Sequence, residues 1–257
     1  MIKNYPFKKE TIMLIKWATD KEKKLHGYNE IYGKHDVLVA IDRMSEKVIG
    51  IVAFSREKKE IGEVQVFDFQ KTDSIKENLL KCADRQCNPK GHCFHYRYPQ
   101  YEKETHEKYC PCCNNEPQPE GLRDIAELQY SWVTAERIAQ GRLFGKCHVL
   151  CKKHYVHLYD LPKDFLTGFM GDVQIAAKAL QEVTGAIKIN YEIHGNTGPH
   201  LHCHLFPRYL DDDFPGMGID VKLIKPSPYE SEEEFEWFFN KMQEKLNKIG
   251  KSSPNFI

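Results

Sequence analysis

The sequence predicts an α+β protein in which an antiparallel sheet carries one long packed helix, preceded by a small N-terminal α/β unit. Three observations indicate this fold class. Histidines alternate with apolar residues over 200–205, as they do along a one-sided strand. Apolar residues recur at helical spacing over 164–183. Runs of β-branched and aromatic residues, separated by polar turns, fill much of the first 80 residues.

The first region, residues 1–80, is predicted to be the mixed α/β unit. It opens with a predicted helix over residues 8–25. Strands follow at 37–41, 48–54 and 63–69. We find no catalytic motif in these residues, so the sequence indicates their fold but not their function.

The second region, residues 81–119, is a predicted Cys/His-rich connector with neither helical nor strand periodicity. Cys110 and Cys113 are separated by two residues, a spacing that lets a tight turn present both thiolates to one tetrahedral zinc. Free thiols are the alternative interpretation. A second metal site could use the cysteines and histidines earlier in the connector: Cys82, Cys87 and Cys93, with His92 or His95.

The third region, residues 120–230, is the predicted catalytic domain. Strands are expected at 126–133, 147–152 and 186–193, with the long helix over 164–183. Residues 231–257 form a closing segment, in which Ser231 begins a capping box for a last helix. That helix carries one apolar face, formed by Phe235, Phe238, Phe239, Met242 and Leu246.

The strongest chemical signal is the alternating set His200, His202 and His204, which we expect to lie on one side of a strand while Leu201 and Cys203 face the core. Imidazole is neutral near pH 7, nucleophilic through one ring nitrogen, and a donor to anionic oxygens when protonated. These properties suit phosphate chemistry. A set of hydrogen-bonded structural histidines or a plain metal site are the alternatives.

Composition narrows the functional class. The 37 basic and 37 acidic residues give zero net charge, which argues against a nucleic-acid partner drawn in by the overall field. No run of eighteen apolar residues predicts a membrane span. Nine cysteines, an odd number, favour reduced thiols or metal ligands over a disulfide framework, and we expect a cytoplasmic protein.

The residues from His200 to Phe206, followed by Pro207 and Arg208, resemble the His-x-His-x-His-x-x signature of the histidine-triad (HIT) superfamily of nucleotide hydrolases and transferases. The strand ending in Lys-x-His at His154 and the Leu-x-Asp-Leu segment at 158–161 resemble the same family. The resemblance is to its short-loop, zinc-bearing type and covers roughly residues 108–216. It implies the sheet-and-helix fold of that family, and a homodimer.

The resemblance also implies residue roles. His202 would attack the α-phosphorus of a nucleotide and form a covalent nucleotidyl-histidine, while His204 would donate to the phosphate. Gly195 and Asn196 would help hold the substrate's phosphate oxygens, and Arg208 would contact phosphate or form an ion pair at the strand end. A structural Zn²⁺ would be held by residues that zinc-bearing members use at matching positions: Cys110, Cys113, His154 and His200.

The resemblance implies hydrolysis of a nucleoside phosphoramidate or a dinucleoside polyphosphate, because relatives with glutamine in the third position tend toward nucleotidyl transfer and this chain keeps His204. A nucleotidyltransferase or phosphorylase is the enzymatic alternative. A zinc-dependent nucleic-acid binder, or a deadenylating protein similar to aprataxin, is the alternative from another class. Tyr96, Arg97, Tyr98 and Tyr101 are the residues that favour it.

Overall fold

The computed structural model divides the chain into two compact units, Met1–Gln100 and Tyr101–Ile257. The model describes residues 13–27, 35–43, 45–68, 72–91, 93–114, 116, 122–137, 143–211, 214, 216–218 and 229–252. Each unit contains its own antiparallel sheet.

The first unit is a four-stranded antiparallel meander, with strand order β1-β2-β3-β4 and a helix packed against it. Its central strand, β3, is buried along nearly its whole length. The three strands predicted at 37–41, 48–54 and 63–69 are confirmed within a few residues. The elements are β1 (Met13–Trp17), α1 (Asp20–Leu25), β2 (Asp36–Asp42), β3 (Val48–Ser55), β4 (Glu60–Val66), α2 (Thr72–Cys87) and α3 (Phe94–Glu104).

The single helix predicted over residues 8–25 is wrong. Residues 8–12 lie outside the described residues, and β1 pairs with β2 from Met13 to Trp17. The helix α1 begins only afterwards, because Thr19 caps it: the Thr19 hydroxyl accepts from the Glu22 amide at 3.3 Å, and the Glu22 carboxylate accepts from the Thr19 amide at 2.8 Å. Strand pairing and a capping box therefore divide one apparent helix into two elements.

The prediction of an irregular connector over 81–119 is also wrong, because α2 and α3 occupy much of it. In α2 the residues at four-residue spacing, Ile75, Leu79, Ala83 and Cys87, are all buried. A region boundary at residue 81 cuts that pattern in half, which hides the helix from sequence reading. The short α3 contains Pro99 and a non-helical turn, so its own periodicity is broken.

The second unit is a five-stranded antiparallel sheet with strand order β5-β6-β7-β9-β8. The strand predicted at 126–133 is wrong, since a hairpin turn at 128–130 separates two strands there. The other strands and both helices are confirmed within a few residues. The elements are β5 (Leu122–Glu127), β6 (Ser131–Glu136), β7 (Cys147–Cys151), α4 (Lys163–Thr184), β8 (Lys188–Glu192), β9 (His202–Arg208) and α5 (Glu232–Ser252).

The long helix α4 packs on this sheet through Phe169, Val173 and Leu180, each fully buried. A buried carboxylate fixes its position: Asp172 accepts from the Tyr130 amide and the Ser131 hydroxyl, both at 2.8 Å. Burial raises the pKa of Asp172. The helix ends where Gly185 adopts a left-handed conformation, φ 69°.

The last helix, α5, buries the apolar face that its sequence predicts. Phe235, Phe238, Phe239, Met242 and Leu246 all belong to the core of the second unit. Ser231 caps the helix, with its hydroxyl accepting from the Glu234 amide at 3.2 Å. No helix in the part of the chain that the structure describes is both long enough and apolar enough to cross a membrane.

Candidate functional site

The strand β9 presents two faces of different character. Cys203 and Leu205 are buried in the core, as the alternating pattern predicts. His202 and His204 lie on the other face, where the register with β7 places His148 directly opposite His204. On the other side of β9, Glu192 of β8 is also paired with His204. The face around His204 therefore carries titratable groups from three strands.

His200 departs from the predicted alignment of three imidazoles on one strand. The strand β9 begins at His202, and the His200 ring is buried with 3% exposure. Its Nδ1 lies 3.4 Å from Cys110 Sγ and 3.5 Å from Cys113 Sγ. The first histidine therefore belongs to a cysteine cluster, and the other two form a separate pair.

The structure brings together the four residues that sequence comparison assigned to zinc. The ligand atoms of Cys110, Cys113, His154 and His200 all lie within 4.8 Å of one another. The third sulfur–nitrogen contact, Cys113 Sγ to His154 Nδ1, is 3.4 Å. Tetrahedral zinc, with bonds of about 2.3 Å to sulfur and 2.0–2.1 Å to nitrogen, separates such atoms by about 3.5 Å. The observed distances fit that geometry.

The second nitrogen of each histidine in this cluster is held by the backbone. His154 Nε2 donates to the Thr105 carbonyl at 2.8 Å, and His200 Nε2 donates to the Cys151 carbonyl at 2.7 Å. A proton on Nε2 leaves the lone pair on Nδ1, facing the sulfurs, which is how metal-binding imidazoles are usually oriented. The donor set is closed, with four protein ligands, as in structural zinc sites.

A short turn presents the two sulfurs. A 3₁₀ helix, Glu107–Tyr109, leads into Cys110, which is fully buried. The Asn114 side chain then donates to the carbonyls of Lys108 and Cys110, at 3.0 and 2.9 Å. These bonds fold residues 108–114 back on themselves, so that Cys110 and Cys113 point toward the same place.

The second predicted metal site is not assembled. Among the described residues, no further group of three or more metal ligands converges. The Cys87 thiol lies against the carbonyl oxygens of Ser55 and Glu60, at 3.7 and 3.9 Å. Cys93 Sγ is 3.9 Å from His95 Nδ1 alone, and His92 lies outside the described residues. Cys87 is instead a buried part of the first unit's core.

The hydrogen bonds of the remaining two triad histidines define their tautomers. His202 Nδ1 donates to the His200 carbonyl at 2.7 Å, so His202 Nε2 carries the lone pair. The two Nε2 atoms of His202 and His204 are 3.1 Å apart, and His204 is therefore the donor. His204 Nδ1 is buried without a hydrogen-bond partner among the described residues.

The surroundings of this pair keep the imidazoles neutral. Burial lowers the pKa of His202, and burial together with the proximity of His202 lowers the pKa of His204 to about 2. The charge of Lys146 acts in the same direction on both rings. Lys146 is 1% exposed, and its Nζ lies 5.1 Å from the Phe206 ring centroid. A neutral His202 with an unprotonated Nε2 can act as a nucleophile once His204 donates elsewhere.

A cavity of about 270 Å³ opens over His202. Gly195 lines it, whereas Asn196 is exposed in the adjoining turn. The complete lining of the cavity is Val156, His157, Leu158, Tyr159, Ile193, His194, Gly195, Leu201 and His202.

Arg208 is not part of this lining. Its guanidinium donates to the carbonyls of Met217, at 2.8 Å, and Phe214. The contact of Arg208 with phosphate therefore stays a prediction.

Sequence reading missed three residues around the His202–His204 pair: Lys146, His148 and His194. The ring centroid of His148 is 4.6 Å from that of His204, and the ring centroid of His194 is 5.5 Å from it. Alternation from Lys146, just before β7, to His148 puts both on one face, which was a readable signal. The pairing of that face with β9 depends on the register, which no local pattern reveals.

Residues 131–211 match the family model described as the HIT domain. This match spans β6 to the end of β9 and includes His148, His154 and all three triad histidines. Residues 131–211, about a third of the chain, are therefore similar to the HIT domain. No curated protein matches the chain.

Several solved structures are similar to this chain. A histidine triad protein, blr8122 from Bradyrhizobium japonicum, is 22% identical and aligns over 49% of this chain and 92% of its own, with a TM-score of 0.45. A Zn-bound histidine triad family protein from Mycobacterium smegmatis is 19% identical over 57% and 96%, with a TM-score of 0.41. The Plasmodium falciparum diadenosine triphosphate hydrolase in complex with Cyclomarin A is 16% identical over 53% and 78%, with a TM-score of 0.34.

Proposed function

Because residues 131–211 match the HIT domain model, we propose that the protein is a nucleotide hydrolase. Its substrate is a nucleoside phosphoramidate or a dinucleoside polyphosphate, cleaved at the α-phosphate. The reaction passes through a covalent nucleotidyl group on His202. The observation that carries this proposal is the bond from His202 Nδ1 to the His200 carbonyl, which leaves Nε2 unprotonated on a ring that lines the cavity.

The reaction takes place in two displacements. In the first, His202 Nε2 attacks the α-phosphorus in line and the leaving group departs. In the second, water attacks the nucleotidyl-histidine and restores the free ring. Dividing one difficult step into two easier ones is the benefit of the covalent intermediate.

His204 acts as a donor throughout this reaction. Its Nε2–H points at His202 Nε2, 3.1 Å away, which is the place where a phosphate group would enter. Once phosphorus occupies that place, the same N–H donates to a phosphoryl oxygen. A preorganised donor is most useful where negative charge develops in the transition state.

The cysteine cluster has a separate role. Its four ligand atoms fit a zinc ion, and a closed four-ligand zinc stabilises a fold rather than activating water. His200 contributes a ring nitrogen to that cluster and a backbone carbonyl to His202. The cluster therefore positions the His202 ring, because the His200 carbonyl that holds this ring belongs to a residue of the cluster.

The test uses the zinc-loaded protein with adenosine 5′-phosphoramidate and diadenosine triphosphate. Rapid quenching at neutral pH followed by intact-mass analysis should show one added adenylyl group, and peptide mapping should place it on His202. The variant His202→Ala should lose the adduct and at least about 10³-fold in kcat/KM, with an unchanged melting temperature, because the ring acts in chemistry. An adduct at another residue, or turnover by His202→Ala at the wild-type rate, would contradict the proposal.

The exposed His106 offers a matched control outside the cavity. His106→Ala should keep both adduct and turnover. Product analysis in the presence of inorganic phosphate then identifies the acceptor. Nucleoside monophosphate as the product in both conditions supports hydrolysis, whereas a phosphate-dependent nucleoside diphosphate identifies a phosphorylase and contradicts it.

A further inference from the structure

A fourth imidazole, that of His194, lies at the wall of the cavity next to the proposed nucleophile. His194 lines the same cavity as His202, and its ring centroid is 5.5 Å from that of His204. The side chain is 46% exposed, so packing does not account for its position. Neither the triad pattern nor the proposed mechanism uses this residue.

His194 is also held by a carboxylate. Its Nε2 lies 2.6 Å from Glu192 Oε2, and the Glu192 side chain is 21% exposed. The pairing of Glu192 with His204 in the sheet places this carboxylate at the edge of the site. A carboxylate bonded to one ring nitrogen orients an imidazole. Because Nε2 of His194 is engaged by Glu192, Nδ1 is the nitrogen that remains available for a proton transfer.

The proposed reaction requires a proton on the leaving atom, and in the proposed mechanism neither His202 nor His204 supplies it. An alkylamine leaving group must gain a proton, because breaking the phosphorus–nitrogen bond without one would release an amide ion, which is too strong a base to leave. His202 is occupied by the bond to phosphorus, and His204 donates to a phosphoryl oxygen. The proton for the departing atom has to come from another group in the cavity.

We propose that His194, oriented by Glu192, is the general acid that protonates the leaving group. This inference rests on the proposed function. Nδ1 of the His194 imidazolium gives its proton to the leaving nitrogen or oxygen as the bond from that atom to phosphorus breaks.

The electrons and protons of this step balance. The lone pair of His202 Nε2 forms the new bond to phosphorus, and the electron pair of the broken bond goes to the leaving atom. The proton from His194 goes to that atom, so the amine, or the nucleotide released from a dinucleoside polyphosphate, leaves with the added proton and His194 becomes neutral. In the second displacement, water supplies the proton that recharges His194, and the pair of the phosphorus–nitrogen bond returns to His202.

The experiment compares two adenylate substrates that differ in the leaving group. One releases an alkylamine, which needs the proton, and the other releases 4-nitrophenolate, a stable anion that does not. The quantity compared is kcat/KM, because it reports steps up to leaving-group departure and excludes the common hydrolysis of the intermediate. His194→Asn should lower kcat/KM about 10²- to 10³-fold for the amine substrate and less than about threefold for the nitrophenyl ester.

His157→Asn is the matched control, because His157 is another imidazole in the lining of the same cavity. A purely structural effect on the cavity should change both substrates by the same factor, and we expect this of His157→Asn. Glu192→Gln keeps a polar partner for His194 but removes the charge. It should give an intermediate loss, about 10-fold, again confined to the amine substrate.

The outcomes distinguish this inference from the proposed function. If wild-type protein forms no adduct and turns over neither substrate, both are overturned. If wild type reacts but His194→Asn loses both substrates equally, or neither, the general-acid role of His194 is overturned and the nucleophilic role of His202 stands. Loss restricted to the amine substrate supports the inference.

Discussion

His200 and His202 are two residues apart, yet their rings are held in opposite ways. In His200, Nε2 donates to the backbone carbonyl of Cys151, and Nδ1 faces the sulfur atoms of Cys110 and Cys113. In His202 the backbone carbonyl of His200 accepts from Nδ1, and Nε2 accepts from His204. Under the proposed function, the first ring would bind a metal ion and the second would attack phosphorus.

The difference shows that a carbonyl oxygen, not the side chain, selects the function of a histidine. Neutral imidazole has one N–H and one lone pair, and a carbonyl can accept only from the N–H. Whichever nitrogen the backbone engages, the other one keeps the lone pair. Damage to the His202–His204 pair should therefore leave the metal cluster intact, although damage to the cluster can reach His202 through the His200 carbonyl.

The largest effect is expected from breaking the metal cluster. The variant Cys113→Ser should bind less than about one tenth of the zinc that wild type binds, in equivalents per chain. The second unit should lose at least about 3 kcal/mol of stability, a fraction of the roughly 10–16 kcal/mol that structural zinc contributes in small domains. Elemental analysis and urea unfolding measure the two quantities. Wild-type zinc content in this variant would show that the four residues do not form the site.

The next effect concerns the cavity. His204→Ala removes the N–H that points at His202 Nε2, and we expect kcat to fall about 10²-fold, the usual consequence of losing one transition-state donor. Zinc content should remain that of wild type, in contrast to Cys113→Ser. A loss of zinc in His204→Ala would show that the two regions are not independent.

A smaller effect is expected in the pH dependence of stability. Burial lowers the pKa of His148 well below that of an unfolded imidazole, which is about 6.5. Below pH 6.5 the unfolded chain therefore takes up a proton that the folded protein does not, and the free energy of unfolding falls as the pH decreases. Between pH 7.5 and 5.5 this costs about 1 kcal/mol for one such group.

The variant His148→Leu removes that contribution. Urea unfolding of the second unit at the two pH values should show a decline about 1 kcal/mol smaller than in wild type. Comparing the two declines cancels any proton uptake by the metal ligands, which both proteins share. Equal declines would mean that His148 is protonated in the folded protein.

The smallest effect is expected at the unassembled cysteine set. Cys93→Ser should leave both the zinc content and the stability unchanged within about 0.5 kcal/mol, because among the described residues Cys93 joins no group of three metal ligands and lies near His95. The measurements are those used for Cys113→Ser. A lost equivalent of zinc would reveal a second metal site that forms only when the ion is bound.

Sequence reading predicted much of the second unit because its signals are local. The helical spacing in α4 and α5, the alternation along β9 and the two-residue gap between Cys110 and Cys113 are all visible within a few turns of chain. Reading failed where a local pattern competes with pairing to a distant strand. The helix predicted across β1 is an example, since pairing with β2 decides its conformation.

The candidate site was only partly readable for the same reason. The triad and the zinc ligands followed from motif spacing and family resemblance, and the structure brings the four ligands together. His148 and His194 were not found, because their proximity to His204 arises from strand register and from the path of the chain after β8. Register couples residues far apart in sequence, and a shift of one residue would reverse every face.

The sequence by itself determined which residue types alternate, which helices have an apolar face and which cysteines can share an ion. Only the tertiary structure decided which nitrogen of each histidine is engaged by the backbone, and thereby which ring can bind metal and which can attack phosphorus. The physical reason is that the acceptors are carbonyl oxygens. Every residue carries one, so no sequence motif marks the carbonyl that will meet an imidazole, and only the folded path of the chain brings the two together.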